Sequence, residues 1–410
     1  LLPDTTYGCD SGGDPKEIPN LTYEAFLDFH KKYYHPSNSY IYLYGDLDIE
    51  KELAFIDEEY LSAFDYLEVD SGIHTQKPFD QPKEITVNYP LADAEEEEEN
   101  TYLSYNVVVG NSLDRTLNLA FMMLDYALID VPGAPIKKAL VDAGISNDVF
   151  SSYDDGILQP VYSIIAKGCK QTDKERFVEI VEKTLQDLVQ NGFEKKVLEA
   201  ALNHFEFKLK EANYGRFPKG LMYGLSAFTS WLYDDQEAFM YLKYDDNFAY
   251  LKEQIGTDYY EQILKQYLLT NNHKTIVTGV PQRGLNRQNE AELAQKLKEY
   301  KDSLSKEQVQ ALIEQTEELA RYQSEPSSQK ELASIPLLQL SDIDTKAFHI
   351  KNREWKAAGI PVVSHDIFTN GIAYIGYYFM LDHVPVALLP YVSLLTALYK
   401  EVDTDRHSYG

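Results

Sequence analysis

Cysteine is scarce in this chain of 410 residues, which contains only Cys9 and Cys169. Two thiols so far apart do not make a disulfide framework, so a reducing compartment is expected. Long apolar runs are also lacking, because none reaches the roughly 18 residues that a membrane-spanning helix needs. No signal peptide is recognisable either. We therefore expect no membrane partner. The first and last residues look like cut ends, and a fragment of a longer protein is expected.

Positively charged residues are few compared with negatively charged ones. The chain has 38 Lys and Arg residues against 66 Asp and Glu, which gives a net charge of −28. Nucleic acids and anionic membranes both require a basic face, so neither is expected as a partner. The charge is compatible with a basic peptide substrate, although most acidic proteins are simply soluble.

The motifs that usually carry chemistry are absent from the sequence. None of its nine histidines belongs to an HExxH or HxxEH zinc motif, and no CxxC pair occurs. There is also no GxSxG nucleophile elbow and no glycine-rich phosphate loop. From these spacings we predict no catalytic residue, no cofactor-binding residue and no metal ligand in this chain.

The most suggestive histidines are His30 and His35, which lie in the tyrosine-rich stretch HKKYYHPSNSYIYLYGDLD. A separation of five residues corresponds to about 500° of helical rotation, so the two rings do not share a face as residues four apart do. A shared zinc is disfavoured. His35 is better explained as a residue at a helix-to-strand joint that makes a hydrogen bond within a loop.

Other candidate residues also have simpler structural interpretations. His204 and Glu206 are two apart and point in different directions on a helix, so His204 is expected to pack or to lie on the surface. His365 and Asp366 are weak candidates for a ligand pair. Cys169 is expected to be a lone buried thiol. The tract from Glu95 to Glu99 is expected to be a solvated loop tip rather than a cation site.

Hydrophobic residues make up 44% of the chain, enough for two or more cores. Periodicity predicts a strand at Ser39–Leu47, a helix from about Ile49 to Phe64, and then an alternation of strands and apolar helices. The fold class expected is α+β, with similar α+β domains in tandem. We predict four segments: 1–82, part of a first domain; 83–286, a complete second domain; 287–345, a helical hairpin and linker; and 346–410, the start of a third domain.

The helical hairpin follows from a change of character near Arg287. The stretch to Gln323 is highly charged, has helical periodicity, and is interrupted near Ser303. Ser305 and Gln308 have the spacing of a capping box, which marks the start of a second helix. The sequence therefore predicts two helices joined by a tight turn.

Several stretches in collinear order resemble the insulinase/pitrilysin family of zinc peptidases, and most closely its presequence-protease subgroup. They are GGDPKEIPNLT, YYHPSN before a strand ending in Gly-Asp, GILQPVYSIIAKG, GRFPKGL, the helical hairpin, and HDIFTNGIAYIGYYF. The resemblance covers almost the whole chain. It implies paired α+β domains in two halves, joined by the hairpin and closed around a chamber for unfolded peptides.

The same resemblance implies where the chemistry lies. In this family zinc is bound by the two histidines of HxxEH and by a distant glutamate, and the motif's glutamate acts as general base. These residues would lie before Leu1, and an assisting Arg and Tyr beyond Gly410. No family catalytic residue therefore maps onto this sequence, and His35 matches the start of a core strand.

The expected function is that of a segment of a zinc metalloendopeptidase that degrades unfolded peptides, inactive by itself. Its partners would be those peptides and the rest of the same polypeptide, and its location the bacterial cytoplasm. The alternative is a non-catalytic scaffold or substrate-binding member of the same family. The two differ in whether the upstream sequence contains HxxEH.

Overall fold

The β-former runs of the middle region assemble into one five-stranded sheet. The computed structural model describes residues 1–347, 349–399 and 402–406. The strands are β1 (Lys83–Leu91), β2 (Thr101–Val108), β3 (Asp148–Asp154), β4 (Val161–Cys169) and β5 (Lys274–Arg283). Their order is β1-β5-β2-β4-β3. The α+β fold class expected from the sequence is confirmed.

Strand β2 lies at the centre and sets the two faces of the sheet. It pairs antiparallel with both neighbours, so that Tyr105 is opposite Ile164 on β4 and Ile276 on β5. Leu103, Tyr105 and Val107 are fully buried, whereas the alternate residues are only half-buried. This two-residue period places one face of the sheet against helices and leaves the other partly accessible.

Helices cover the buried face. They are α3 (Arg115–Asp125), α4 (Pro135–Asp142), α5 (Lys174–Asn191), α6 (Lys195–Glu211), α8 (Asp245–Gln254) and α9 (Tyr259–Ile263), whereas α7 (Lys219–Trp231), between α6 and α8 in the chain, lies outside the core cluster that they share. π-helical turns extend α3 over Tyr126–Asp130 and α9 over Leu264–Leu269. The sequence predicted these helices except α8, whose apolar pattern is weak. Phe121 of α3 and Phe177 of α5 are fully buried in the core that these helices form with β2.

Residues 115–142 correct one expectation. By length and composition alone this segment is apolar enough to cross a membrane, contrary to the prediction that no such stretch exists. Within the fold 56% of its best window is buried, and Leu119, Phe121 and Leu124 are part of the core. A core helix passes the same test as a membrane span, and this segment is used as a core helix here.

The region before β1 contains α1 (Tyr23–Tyr33) and α2 (Ile49–Glu59), and neither helix buries a side chain. The predicted strand at Ser39–Leu47 is wrong for this structure, because none of these residues belongs to a sheet. A β-strand requires a neighbouring strand to accept and donate its hydrogen bonds, and no neighbour is present in the described residues. The helix expected to reach Phe64 ends at Glu59 and is followed by a short 3₁₀ turn.

The chain forms two compact units. The first comprises Leu1–Tyr89, Ala94–Gln282 and Ile375–Gly410, and the second comprises Pro90–Asp93 and Arg283–Tyr374. The second unit contains the expected hairpin, as α10 (Leu285–Ser303) and α11 (Lys306–Ser324), and the short helix α12 (Gln329–Leu332). The capping box is confirmed, since Gln308 N–H donates to Ser305 Oγ at 3.2 Å and Ser305 N–H donates to Gln308 Oε1 at 2.8 Å.

A β-hairpin follows in the second unit, with β6 (Asn352–Ala357) paired to β7 (Ile360–His365). Ala358 and Gly359 form its two-residue turn with φ of 49° and 84°. Positive φ at both positions is the geometry of a type I′ turn, which suits the twist of a hairpin. The residues from Ile372 to Leu381 belong to no strand. The last described helix is α13 (Leu389–Leu398).

Candidate functional site

The two histidines of the tyrosine-rich stretch, His30 and His35, make different contacts. His35 Nδ1 accepts a hydrogen bond from Ser37 N–H at 3.2 Å, and the His35 ring meets Phe64 edge-on at 5.4 Å. His30 stacks on Tyr34, with ring centroids 4.8 Å apart. The hydrogen bond within a loop that was predicted for His35 is confirmed, because His35 caps the 3₁₀ turn after α1, although no strand follows that turn.

The remaining sequence candidates are also accounted for by packing. His204 stacks on Tyr126 at 4.8 Å. His365 lies at the end of β7, opposite Asn352. Burial raises the pKa of the Cys169 thiol to about 12, so this thiol is not a nucleophile at neutral pH. His407 lies outside the described residues.

Zinc needs three or four converging nitrogen, sulfur or carboxylate donors. Among the described residues no group of three or more His, Cys, Asp or Glu side chains converges in this way. The acidic tract is exposed, and Glu99 makes a 3.6 Å ion pair with Lys170. The His, Cys, Asp and Glu side chains of the described residues therefore do not fit a zinc centre.

A buried polar cluster at the first turn of α3 is the feature that sequence reasoning missed. Arg115 Nη1 donates to Asn118 Oδ1 at 2.7 Å, and the guanidinium lies 4.3 Å from the ring centroid of Tyr241. Asn118 Nδ2 donates to Asp155 Oδ2 at 3.1 Å and to the Tyr153 hydroxyl at 3.3 Å. Burial lowers the pKa of Arg115.

This cluster connects α3 to the turn between β3 and β4, and it contains neither an activated nucleophile nor a pair of facing acids. We interpret it as a positioning network for the helix and the turn. The signal that could have revealed it is Arg115 itself, a cation placed at the start of an apolar helix, where burial demands hydrogen-bond partners.

A second buried cation, Lys274, opens β5. Its ammonium donates to the Tyr105 hydroxyl at 2.6 Å and to the carbonyls of Leu268 and Leu269 at 3.1 and 3.3 Å. Glu182 lies 3.6 Å away. These carbonyls end the π-helical turn after α9, where a helix lacks internal donors, so Lys274 acts as a buried cap. Burial lowers the pKa of Lys274.

Asp125, at the end of α3, allows a prediction about pH. Burial raises the pKa of its carboxyl, which faces Ser151, Asp130 and Tyr162. Because the pKa is higher in the folded protein, ionising Asp125 costs stability as pH rises above the unfolded value of about 4. We expect Asp125→Asn to raise the free energy of unfolding at pH 7, with the gain disappearing towards pH 4. Urea titrations at several pH values measure this.

The control for Asp125 is Asp142→Asn. Asp142 is exposed and pairs with Lys138, four residues earlier on the same helix. An exposed pair of this kind contributes only a few tenths of a kcal/mol, so its loss is slightly destabilising or neutral at pH 7. A destabilising effect of Asp125→Asn at pH 7 contradicts the assignment.

The strongest candidate for a functional surface is the side of α7 against which residues Tyr40–Tyr44 pack. Gly220 and Gly224 are buried on this side. A Cβ at Gly220 would lie 2.1 Å from the Tyr44 ring, and one at Gly224 would lie 2.8 Å from the Tyr42 ring. Only glycine permits such an approach. The structure thus uses the two glycines to seat two tyrosine rings.

Aromatic and polar contacts lengthen this docking surface. Tyr40 meets Trp231 at 4.7 Å, and its hydroxyl donates to Asp235 Oδ1 at 2.9 Å. The hydroxyls of Tyr7 and Tyr233 are hydrogen-bonded to each other. The sequence indicated none of these pairings, since the partners are about 190 to 230 residues apart. The region before β1 is therefore held by α7 and by the residues that directly follow it.

A glutamine pair makes a second attachment. Gln76 N–H donates to Gln159 Oε1 at 2.6 Å, and Gln159 Nε2 donates to the Gln76 carbonyl at 3.2 Å. The Gln76 side chain in turn bonds Asp4, through the Asp4 N–H at 2.8 Å and through Asp4 Oδ2 at 2.7 Å. Both glutamines are buried, so each bond replaces water that folding removed.

We expect Gln159→Ala to lower the free energy of unfolding by about 1–3 kcal/mol, because it removes the partners of the buried Gln76 backbone. Thermal or urea unfolding measures this. Gln190→Ala, on the exposed face of α5, is the control and should change stability by less than about 0.5 kcal/mol. Equal effects from the two substitutions contradict the role given to the pair.

Comparison with known proteins identifies the family. Residues 20–205 match the family model described as Peptidase M16 inactive domain, and residues 280–410 match the model of the region associated with subfamily C of the same peptidases. The Clostridium perfringens "Protein HypA" is 42% identical over the whole chain, which spans 42% of that protein. Presequence protease 1 of Arabidopsis thaliana is 33% identical over 98% of the chain, which spans 38% of it.

Solved structures agree on the fold. A protease from Helicobacter pylori matches with a TM-score of 0.50 and 18% identity, over 66% of this chain and 62% of that one. A peptidase M16 inactive domain from Pseudomonas fluorescens matches with a TM-score of 0.50 and 16% identity, over 67% and 60%. The chain spans about two-fifths of the length of the curated relatives named above. It belongs to the insulinase, or M16, peptidase family and is similar to the presequence proteases within it.

Proposed function

We propose that these residues form a non-catalytic, supporting part of a longer M16 zinc metalloendopeptidase that degrades unfolded peptides in a closed chamber. The observation that carries the proposal is the match of residues 20–205 to the M16 inactive domain. The similarity to presequence proteases supports a peptidase as the whole protein. The zinc ligands and the general base are proposed to lie outside this chain.

Within the longer protein we assign 1–82 to the rear of a catalytic-type domain, 83–286 to a complete second α+β domain, 287–345 to the hairpin and linker, and 346–410 to the start of a third domain. The role of this second domain is then to hold the neighbouring domain in place. The docking surface on α7 and the Gln76–Gln159 pair supply the contacts for that role.

Two further parts of the proposal concern partners and location. The partners are unfolded peptides and the remainder of the polypeptide, and the net charge of −28 disfavours nucleic acid. We place the protein in the bacterial cytoplasm, in line with the bacterial relative and the two unpaired cysteines.

The experiment compares the 410-residue chain with the longer protein in a fluorogenic peptide-cleavage assay, with and without added zinc. We expect cleavage by the longer protein, inhibited by a chelator and restored by zinc, and none by the 410-residue chain. Zinc-dependent cleavage by this chain alone would overturn the assignment of a supporting role.

The second candidate is a scaffold in a family member without catalysis, which the inactive-domain match also favours. The longer protein then binds unfolded peptides but does not cleave them, with or without zinc. The presence or absence of HxxEH in the remaining polypeptide separates the two candidates before any assay.

A further inference from the structure

The sequence contains two Asn-Gly pairs, Asn191 with Gly192 and Asn370 with Gly371, and neither belongs to the docking surface or to the polar clusters described above. The pair is chemically distinctive because glycine has no Cβ, so its backbone nitrogen can approach the asparagine side chain with little steric hindrance. Whether the nitrogen does so depends on the local backbone, and the structure places the two pairs in contrasting environments.

Asn370 and Gly371 are the central residues of a tight turn. Their φ angles are 51° and 80°, and the Ile372 N–H donates to the Thr369 carbonyl at 3.1 Å. Positive φ at both central positions, closed by this bond, is the geometry of a type I′ β-turn. The closing bond joins the first and fourth residues of the turn, so the Gly371 N–H takes no part in it. Both central residues are exposed.

This turn is not the loop of a paired hairpin. Besides the closing bond, the Thr369 hydroxyl donates to the Ile372 carbonyl at 2.7 Å. Strand β7 ends at His365, before the turn begins, and Ile372 belongs to no strand. Exposed segments that no ladder of strand hydrogen bonds secures open at a small free-energy cost, so the Asn370 side chain and the Gly371 nitrogen can reach each other.

Asn191 and Gly192 are held by a helix instead. Asn191 is the last residue of α5, and the Gly192 N–H donates to the Leu188 carbonyl at 2.8 Å. This nitrogen must lose its hydrogen bond, and Asn191 its helical conformation, before the two groups can react. The same dipeptide is therefore protected at the end of α5, which provides a control within the same chain.

We propose that Asn370 is a site of spontaneous deamidation. The Gly371 nitrogen, after losing its proton to hydroxide, attacks the side-chain carbonyl carbon of Asn370, so that an N–Cγ bond forms and the Cγ–Nδ2 bond breaks. Nδ2 takes a proton from water, which restores the hydroxide, and leaves as ammonia. Water then opens the resulting five-membered imide at either carbonyl and gives aspartate or isoaspartate. The reaction adds one negative charge to the turn, and it does not rest on the proposed function.

The test is incubation of the 410-residue chain at pH 8 under native conditions, followed by digestion and mass spectrometry of the peptides that contain Asn370 and Asn191. We expect Asn370 to be converted to the acid at least tenfold faster than Asn191. The rate at Asn370 should fall at pH 6, because the attacking nitrogen must lose its proton. In urea that unfolds the chain, the two rates should become similar, because the two pairs then differ only in their sequence neighbours.

Gly371→Ala is the matched variant. Its methyl group hinders the attack and should slow the reaction at Asn370 at least tenfold, even though positive φ disfavours alanine and loosens the turn. A native rate at Asn370 no higher than that at Asn191 would overturn the proposal, since the turn would then give no access to the Gly371 nitrogen. An undiminished rate in Gly371→Ala, with aspartate but no isoaspartate as product, would also overturn it, because direct hydrolysis of the side chain gives that result.

Discussion

Gly224→Ala is expected to release Tyr40–Tyr44 from α7 while strengthening the helix itself. The new Cβ would lie 2.8 Å from the Tyr42 ring, closer than packed atoms approach. The same substitution favours helix by about 1 kcal/mol, because glycine is a poor helix former. We therefore expect a protein whose sheet domain unfolds at an unchanged or higher denaturant concentration, but whose residues Tyr40–Tyr44 are detached from α7.

Fluorescence of Trp231 measures this detachment. Trp231 lies 4.7 Å from Tyr40, and the chain has only one other tryptophan, Trp355. In a Trp355→Phe background, Gly224→Ala should shift Trp231 emission to the red, and a protease should cut near Tyr40 at least tenfold faster.

Ser226→Ala is the matched control for this substitution. It improves helix propensity on α7 two residues away from the glycine that seats Tyr42. It should leave Trp231 emission and the rate of proteolysis unchanged. Unaltered emission and proteolysis in Gly224→Ala would show that the glycines are not needed for docking.

Lys274→Ala is expected to destabilise the sheet domain by about 3–5 kcal/mol, because it leaves buried acceptors without their donor and opens a cavity. The ammonium donates to the Leu268 and Leu269 carbonyls and to the Tyr105 hydroxyl, so the substitution takes a donor from three groups at once. Urea unfolding followed by circular dichroism measures the loss.

Two companion variants separate the possible causes. Lys274→Met retains most of the buried volume but removes the donors, so it should lose about 1–3 kcal/mol, the cost of unsatisfied buried groups. Lys265→Ala alters an exposed lysine of the same π-helical turn and should change stability by less than about 0.5 kcal/mol. If Lys274→Met were as stable as the wild type, the capping role would be wrong.

Local sequence patterns were enough to predict most of the helices and strands. The alternation in β2, the apolar period of α3 and α5, and the Ser305–Gln308 capping box each reflect forces between residues close in sequence. The strand expected at Ser39–Leu47 failed for a non-local reason, because β-structure needs a partner strand. Helix α8 was missed because its apolar residues do not form a clear stripe.

The contacts of the candidate surface were harder to predict from the sequence than the fold. Gly220 and Gly224 look like weak points in a helix until the Tyr42 and Tyr44 rings are seen against them. The pairing of Gln76 with Gln159 joins residues 83 positions apart, for which one sequence contains no signal. The histidine assignments could be made, since helical rotation alone separates His30 from His35.

The central claim is that this chain supports catalysis without carrying the zinc site. Elemental analysis of the 410-residue protein, after dialysis against trace zinc and removal of free metal, tests it most directly. The account predicts close to zero zinc per chain. A value close to one would mean that some of the nine histidines form a metal site, and the structural role given to His35 would then be wrong.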